Sequence, residues 1–301
     1  MQKRTIFSLL IVSINLTMNA QTITSDILEK VRSERISFES LGKIYPVNES
    51  VKVEAVQIAG VNCYWFTPQA TVSDNIIVFL HGGGFALGNI HSHRALVSEL
   101  AASTQFKILF VEYSLAPEHP YPSAITEIAA VCKALSETHK GRQFIFMGDS
   151  AGGTLAVSTT HFLMKQNDQL PAALILISPL LNLKCNTNSY KTRQTLDPIL
   201  KKEYVKAFVD YYLQGAEDES ADPNEIIFDH FPPLLALAGT NEILFDDSKI
   251  FHEYIKTIQP RAFFRAYPNQ THVWLITDIK SQESKETLMD INNFLGDFRG
   301  R

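Results

Sequence analysis

The stretch Gln143-Phe144-Ile145-Phe146-Met147-Gly148-Asp149-Ser150-Ala151-Gly152-Gly153-Thr154-Leu155-Ala156 decides how the chain is read. Phe144 to Met147 is a short apolar run and reads as a buried strand, and an apolar helical pattern follows Gly152. Strand, sharp turn and helix therefore meet at Ser150. Such a turn imposes strained dihedrals on its apex, so the residues two before and two after it must lack bulk; Gly148 and Gly152 stand there. The same geometry brings the hydroxyl into the open at a helix N-terminus, where backbone N–H groups and the helix dipole favour developing negative charge. Gly-x-Ser-x-Gly alone is equally compatible with an ordinary loop, but the strand before it and the helix after it favour an exposed, activated serine.

Working outward, Ile76 to Leu80, Lys107 to Val111, Ala172 to Ile177, Leu234 to Ala238 and Ala262 to Tyr267 are further apolar runs of strand length. Helical patterns lie between and after them, over His93–Thr104, Ser123–Thr138, Asp246–Ile258 and Leu288–Phe298. Val51–Ile58 and Asn62–Phe66 flank Ala59-Gly60 and read as a hairpin. Strands alternating with helices imply an α/β fold with a mostly parallel sheet covered on both faces. Two segments stand apart. Thr22 to about Phe38 is an amphipathic helix with Ser25 as its expected cap. The connection from about residue 184 to 230, with a helix expected from Pro198 to Leu213, is too long for a plain link. Together they form a candidate lid.

The 301 residues, 45% hydrophobic and 20% charged, suit one large globular domain, and a net charge of −5 without a basic cluster argues against a nucleic-acid partner. Lys3 and Arg4 precede an apolar run from Ile6 to Leu16, and Met18-Asn19-Ala20 offers a small residue before Gln21. This is the layout of a signal peptide over residues 1–20, with export to the periplasm or medium after cleavage at Ala20. The run falls short of the roughly 20 residues needed for a stable membrane span. Cys63, Cys132 and Cys185 allow at most one disulfide, and core packing is the expectation for the first two. No His or Cys pair has structural-zinc spacing, so neither metal nor cofactor is expected; His91 and His93 read as surface histidines, and Glu118 and His119 as scaffold.

In an open parallel sheet, function collects beyond the carboxyl ends of the strands. His81-Gly82-Gly83-Gly84-Phe85, Ser150, Glu242 and His272 all follow expected strands. Three consecutive glycines there suit close approach of backbone to a ligand. Serine, acid and histidine in this order point to nucleophilic catalysis: Ser150 attacks a carbonyl, His272 moves the proton, and a carboxylate orients the imidazole. The N–H groups of Gly83, Gly84 and Ala151 are the expected oxyanion donors. Glu242 is favoured as the acid, with Asp246 and Asp247 one helical turn on as the competing choice, where they could instead cap or pair.

His81-Gly82-Gly83-Gly84-Phe85, the loop Tyr113-Ser114-Leu115-Ala116-Pro117-Glu118-His119-Pro120-Tyr121-Pro122, and Gly148-Asp149-Ser150-Ala151-Gly152-Gly153 together resemble the hormone-sensitive-lipase-like family of α/β-hydrolase esterases. The resemblance runs from about residue 50 to the C-terminus. It implies an eight-stranded α/β-hydrolase sheet over residues 49–301, capped by the N-terminal segment 21–48 and the insertion after the sixth strand. It also implies Ser150 as nucleophile, His272 as base, and Gly83, Gly84 and Ala151 as oxyanion donors. The chain departs from the family pattern in three places. Glu242-Ile243-Leu244-Phe245-Asp246 replaces Asp-Pro-Leu-Arg-Asp, Glu112 replaces Asp, and Val273-Trp274 replaces Gly-Phe after the histidine, with a reshaped leaving-group side expected. The implied activity is hydrolysis of short- to medium-chain acyl esters. Alternatives are a carbohydrate or xenobiotic acetyl esterase and, from another class, a non-catalytic ligand-binding receptor on the same fold. Oligomeric state is not legible.

Overall fold

The structure, a computed structural model, describes residues 23–299; the expected signal peptide lies outside them. Eight strands form one sheet: β1 (Val51–Ile58), β2 (Val61–Pro68), β3 (Ile76–Leu80), β4 (Lys107–Glu112), β5 (Phe144–Asp149), β6 (Leu174–Ile177), β7 (Leu234–Gly239) and β8 (Ala262–Tyr267). Their spatial order is β1-β2-β4-β3-β5-β6-β7-β8. β2 runs antiparallel to both neighbours and the remaining pairs are parallel. Ala59 and Gly60, both at positive φ (50° and 84°), close the β1–β2 hairpin in the two-residue turn that matches strand twist.

The helices are α1 (Ser25–Phe38), α2 (Ile90–Thr104), α3 (Ser123–Thr138), α4 (Ala151–Gln166), α5 (Ser189–Thr192), α6 (Lys202–Leu213), α7 (Phe245–Lys256), α8 (Trp274–Thr277) and α9 (Gln282–Leu295). Alternation along β3 divides the core. Ile76, Val78 and Leu80 pack with residues of α3 and α4 such as Ile128 and Leu155, whereas Ile77 and Phe79 pack with α2 and α9 through Leu96, Leu100 and Ile291. Both faces are thus dry, which is why these strands are continuously apolar. Among the described residues no helix is long and apolar enough to cross a membrane. The three cysteines are buried free thiols.

Several boundaries differ from the sequence reading. α1 is capped by Thr24, whose Oγ1 accepts from Ile27 N at 3.3 Å, rather than by Ser25. α2 begins at Ile90, three residues early, because Asn89 and Ser92 form a reciprocal capping box. α6 begins at Lys202, since the Asp197 carboxylate holds the N–H groups of Ile199 and Leu200 in a turn (2.8 and 2.9 Å). α9 begins at Gln282 behind a Ser281 cap, six residues before the expected start.

α1 and α6 are both tied to the proline-rich loop 113–122. Arg35 grips Glu118 with two guanidinium bonds (2.8 and 2.7 Å) and donates to the carbonyls of Ala86 (2.8 Å) and Ala116 (2.9 Å). On the other side Gln214 donates to Pro117 O (2.6 Å), Tyr121 N–H donates to Tyr212 O (2.8 Å), and Phe85 stacks on Tyr212 with ring centroids 4.0 Å apart. Glu118 therefore is scaffold, as its loop position implied. The loop thereby holds α1 and α6 against the cavity that contains Ser150.

Candidate active site

Ser150 sits between the last residue of β5 and the first of α4 with φ 50° and ψ −120°, a strained conformation for a side-chain-bearing residue. Its neighbours permit the turn: a Cβ on Gly152 would collide with the Leu80 carbonyl, and one on Gly148 would lie 2.6 Å from the Gly152 backbone. The turn is anchored by Ser150 N–H to Ile177 O (2.9 Å) and by Leu180 N–H to Ser150 O (3.1 Å).

His272, in the loop after β8, brings Nε2 to 2.9 Å from Ser150 Oγ. Its Nδ1 lies 2.9 Å from Glu242 Oε2. Glu242 follows β7, is 0% exposed, and receives the Gly239 N–H on Oε1 at 2.7 Å. Burial raises its carboxyl above the usual range, while the bonds from His272, Gly239 and Ser178 pull the other way. A carboxylate facing Nδ1 selects the Nδ1–H tautomer and leaves the Nε2 lone pair for the serine proton. Ser150 and His272 keep 9% and 8% exposure, enough to meet a ligand.

Asp246 and Asp247 turn elsewhere. Asp246 accepts Ser189 N–H at 2.8 Å; Asp247 is buried and accepts from Leu181 N–H (3.2 Å), Asn182 N–H (3.1 Å) and Thr187 (3.0 Å). Both hold the segment between β6 and β7 against α7, and neither contacts His272.

Gly83 and Gly84 line the same cavity as Ser150 and His272, and Ala151 opens α4 beside the serine. The N–H groups of these three residues donate to no described residue. His81 Nδ1 lies 2.8 Å from the Gly82 carbonyl. Its ring is fully buried beside His93, and burial first, then His93, lowers its pKa to about 3, so the neutral ring donates that bond. In a trans peptide C=O and N–H point oppositely. Holding Gly82 C=O therefore fixes the direction of Gly83 N–H.

The cavity measures about 620 Å³, within the ordinary range for small-molecule sites. Phe38 and Leu41 from the N-terminal segment, Val205 and Phe208 from α6, and Val273 and Ile276 beyond the histidine give it a largely apolar wall. Of the two departures after the histidine, only Val273 reaches the cavity; Trp274 is buried in the core against Tyr267, with ring centroids 4.8 Å apart. Glu112 accepts Ile90 N–H at 3.1 Å and so anchors the start of α2.

His93 corrects the sequence reading: it is 0% exposed, facing Asp149 at 3.5 Å, whereas His91 is exposed. Its burial was not readable locally, because its partner Asp149 lies on β5, 56 residues further along the chain. Among the described residues no group of three His, Cys, Asp or Glu could hold a metal ion.

A family model described as the alpha/beta hydrolase fold matches residues 77–276. An esterase of Acinetobacter venetianus is 35% identical over 260 residues, spanning 85% of this chain and 86% of that protein. An acetyl-hydrolase of Streptomyces hygroscopicus is 31% identical over 225 residues, spanning 73% and 75% respectively. The crystal structure of an esterase from the bacterial hormone-sensitive lipase family superposes with a TM-score of 0.85 at 28% identity, covering 90% of this chain and 92% of that one.

Proposed function

The chain belongs to the hormone-sensitive-lipase-like family of α/β-hydrolases and is a carboxylic ester hydrolase, and on that premise we propose that Ser150, His272 and Glu242 cleave short- to medium-chain acyl esters through an acyl-enzyme. The observation that carries this reading is the continuous Ser150–His272–Glu242 chain at 2.9 and 2.9 Å. Ser150 Oγ attacks the ester carbonyl as His272 Nε2 takes its proton. Glu242 stabilises the imidazolium that results. The tetrahedral oxyanion is received by the N–H groups of Gly83, Gly84 and Ala151, each donor supporting a factor of roughly 10²–10³ in rate. His272 then returns the proton to the leaving alcohol, and water repeats the sequence on the acyl-serine.

Two observations bear on acyl length. Similarity to a protein named acetyl-hydrolase supports a small acyl group here, with acetyl esters of a carbohydrate or xenobiotic as the alternative substrates. The apolar wall of a cavity of about 620 Å³ supports room for longer ones. A non-catalytic receptor would have no use for an imidazole bonded on both sides. A series of p-nitrophenyl esters from C2 to C12, run on the wild type and on Ser150→Ala, tests the reading. The expected result is turnover peaking among the shorter chains and lost by about 10⁶ in the variant; retained turnover in Ser150→Ala would overturn it. Residues 1–20 are further proposed to direct export, which mass analysis of the exported protein would support by an N-terminus at Gln21 and refute by an intact Met1.

A further inference from the structure

A second carboxylate–imidazole pair lies outside the Ser150–His272–Glu242 chain. Asp149, the last residue of β5, is 3% exposed. Its Oδ1 accepts the Gly82 N–H at 3.0 Å and its Oδ2 faces His93 Nε2 at 3.5 Å. His93 Nδ1 lies 2.8 Å from Ser92 Oγ, and that hydroxyl already donates to Asn89 O (2.9 Å) and accepts from Asn89 N–H (3.1 Å). Both ring nitrogens thus face oxygen atoms, and the ring is walled by Phe38, Phe79, His81 and Phe110 at centroid distances of 6.0, 6.3, 5.4 and 6.2 Å.

The significance lies in the peptide unit this pair holds. The His81 carbonyl and the Gly82 N–H belong to one plane. Tyr113 donates to the carbonyl at 2.6 Å, and Asp149 receives the N–H at 3.0 Å. The plane is clamped at both ends, and the next plane carries the N–H of Gly83, which lines the cavity and donates to no described residue. Gly82 also packs tightly against the elbow, since a Cβ there would meet the Asp149 carboxylate and lie 3.0 Å from Ser150 Cβ. Asp149 is covalently joined to the nucleophile and hydrogen-bonded to the oxyanion loop. Any rotation of its carboxylate moves one against the other.

We infer that Asp149 and His93 are positioning residues that set the oxyanion loop in register with the nucleophile: His93 fixes the Asp149 carboxylate, and Asp149 fixes the Gly82 peptide. Neither touches the reacting atoms. The inference rests on Gly83 and Gly84 being the oxyanion donors. It is separable from the proposed ester hydrolysis at Ser150, which wild-type turnover and Ser150→Ala test, while the variants below test only the placement of those donors.

His93→Gln and Asp149→Asn are compared with the wild type on p-nitrophenyl butyrate, alongside inhibition by an alkyl trifluoromethyl ketone, whose hemiketal oxygen requires the oxyanion donors. The expected result is a kcat lower by about 10- to 100-fold with KM within about threefold, and a ketone inhibition constant raised by the same factor by which kcat falls. Asp149→Asn retains an oxygen for Gly82 N–H and is expected to be milder than Asp149→Ala. If His93→Gln does not fold, Ser92→Ala removes the Nδ1 partner while leaving the ring in place, and the same split is expected at smaller size. Variants that keep kcat within twofold of wild type, or that lose melting temperature and kcat while ketone affinity is unchanged, would overturn the inference.

Discussion

Replacing Glu242 by glutamine tests the proton path with almost no change of volume. The oxygen of the new amide is drawn to the Gly239 N–H, which Oε1 now receives at 2.7 Å. Its NH₂ then faces His272 Nδ1, where a carboxylate oxygen stood at 2.9 Å. Two N–H groups cannot share that contact, so the imidazole moves its proton to Nε2 and presents N–H to Ser150 Oγ across 2.9 Å. The base has lost its lone pair. The alternative tautomer leaves two donors opposed in a site with 0% exposure at residue 242. A wrong-tautomer lesion of this kind lowers kcat by about 10⁴, or about 5 kcal/mol of transition-state stabilisation. Asp246→Asn is the control: its oxygen can still accept Ser189 N–H, so a loss on the order of 1 kcal/mol in stability and little in rate is expected. The assay is kcat/KM on p-nitrophenyl butyrate at pH 8. A Glu242→Gln enzyme within about tenfold of wild type, or an Asp246→Asn enzyme that is the worse of the two, would refute the reasoning.

Other outcomes follow from the same geometry. His81, held near pKa 3 by burial, stays neutral in the folded state while the unfolded chain takes up a proton below about pH 6.5, so its contribution is full above that value. Stability should therefore fall on acidification from pH 6.5 toward 3, by at most roughly 1.4 kcal/mol per unit from this group, and His81→Gln should flatten the melting-temperature slope; an unchanged slope would refute the assignment. Arg35→Ala removes the two bonds to Glu118 and strands the carbonyls of Ala86 and Ala116. A loss of about 1–3 kcal/mol in urea unfolding and a KM rise greatest for the longer esters are expected, and a variant equal to wild type in both would contradict a role for Arg35 in tying α1 to loop 113–122. Phe208 lies against Gly84 and lines the cavity, so Phe208→Ala should shift the chain-length optimum upward at a cost of about 3–5 kcal/mol; an unmoved optimum would place the acyl chain elsewhere.

What was legible in the sequence was local or ordered along the chain. β3, α3 and β8 match their expected limits, because continuous apolar runs and amphipathic spacing are properties of the segment itself. The elbow was readable because its glycines answer a steric demand within five residues. Serine, acid and histidine were found from their order and their positions after strands, although Ser150 and His272 are 122 residues apart. The losses have the opposite character. α2 starts early because side chains of Asn89 and Ser92, rather than apolar spacing, begin it. The first half of α9 is mostly polar, and its buried positions before Leu288 are Ser284 and Thr287 rather than apolar residues, so periodicity detected only its apolar end. Pro198 suggested a helix start, but Asp197 bonds the next residues into a turn and also receives Ile243 N–H at 2.9 Å, a partner 46 residues away. His93 was read as surface because nothing near it in sequence announces Asp149, 56 residues on. Asp246 could be set aside only once the segment after β6 was seen to occupy it.

The central claim is that Ser150 is the atom that takes the acyl group. Treating the protein with a fluorophosphonate, then measuring intact mass and mapping peptides, tests this directly. The account expects one adduct per chain, on Ser150, appearing in step with loss of p-nitrophenyl butyrate hydrolysis and absent from Ser150→Ala. Hydrolysis that persists after complete labelling of Ser150, or inactivation with the label on another residue, would contradict it.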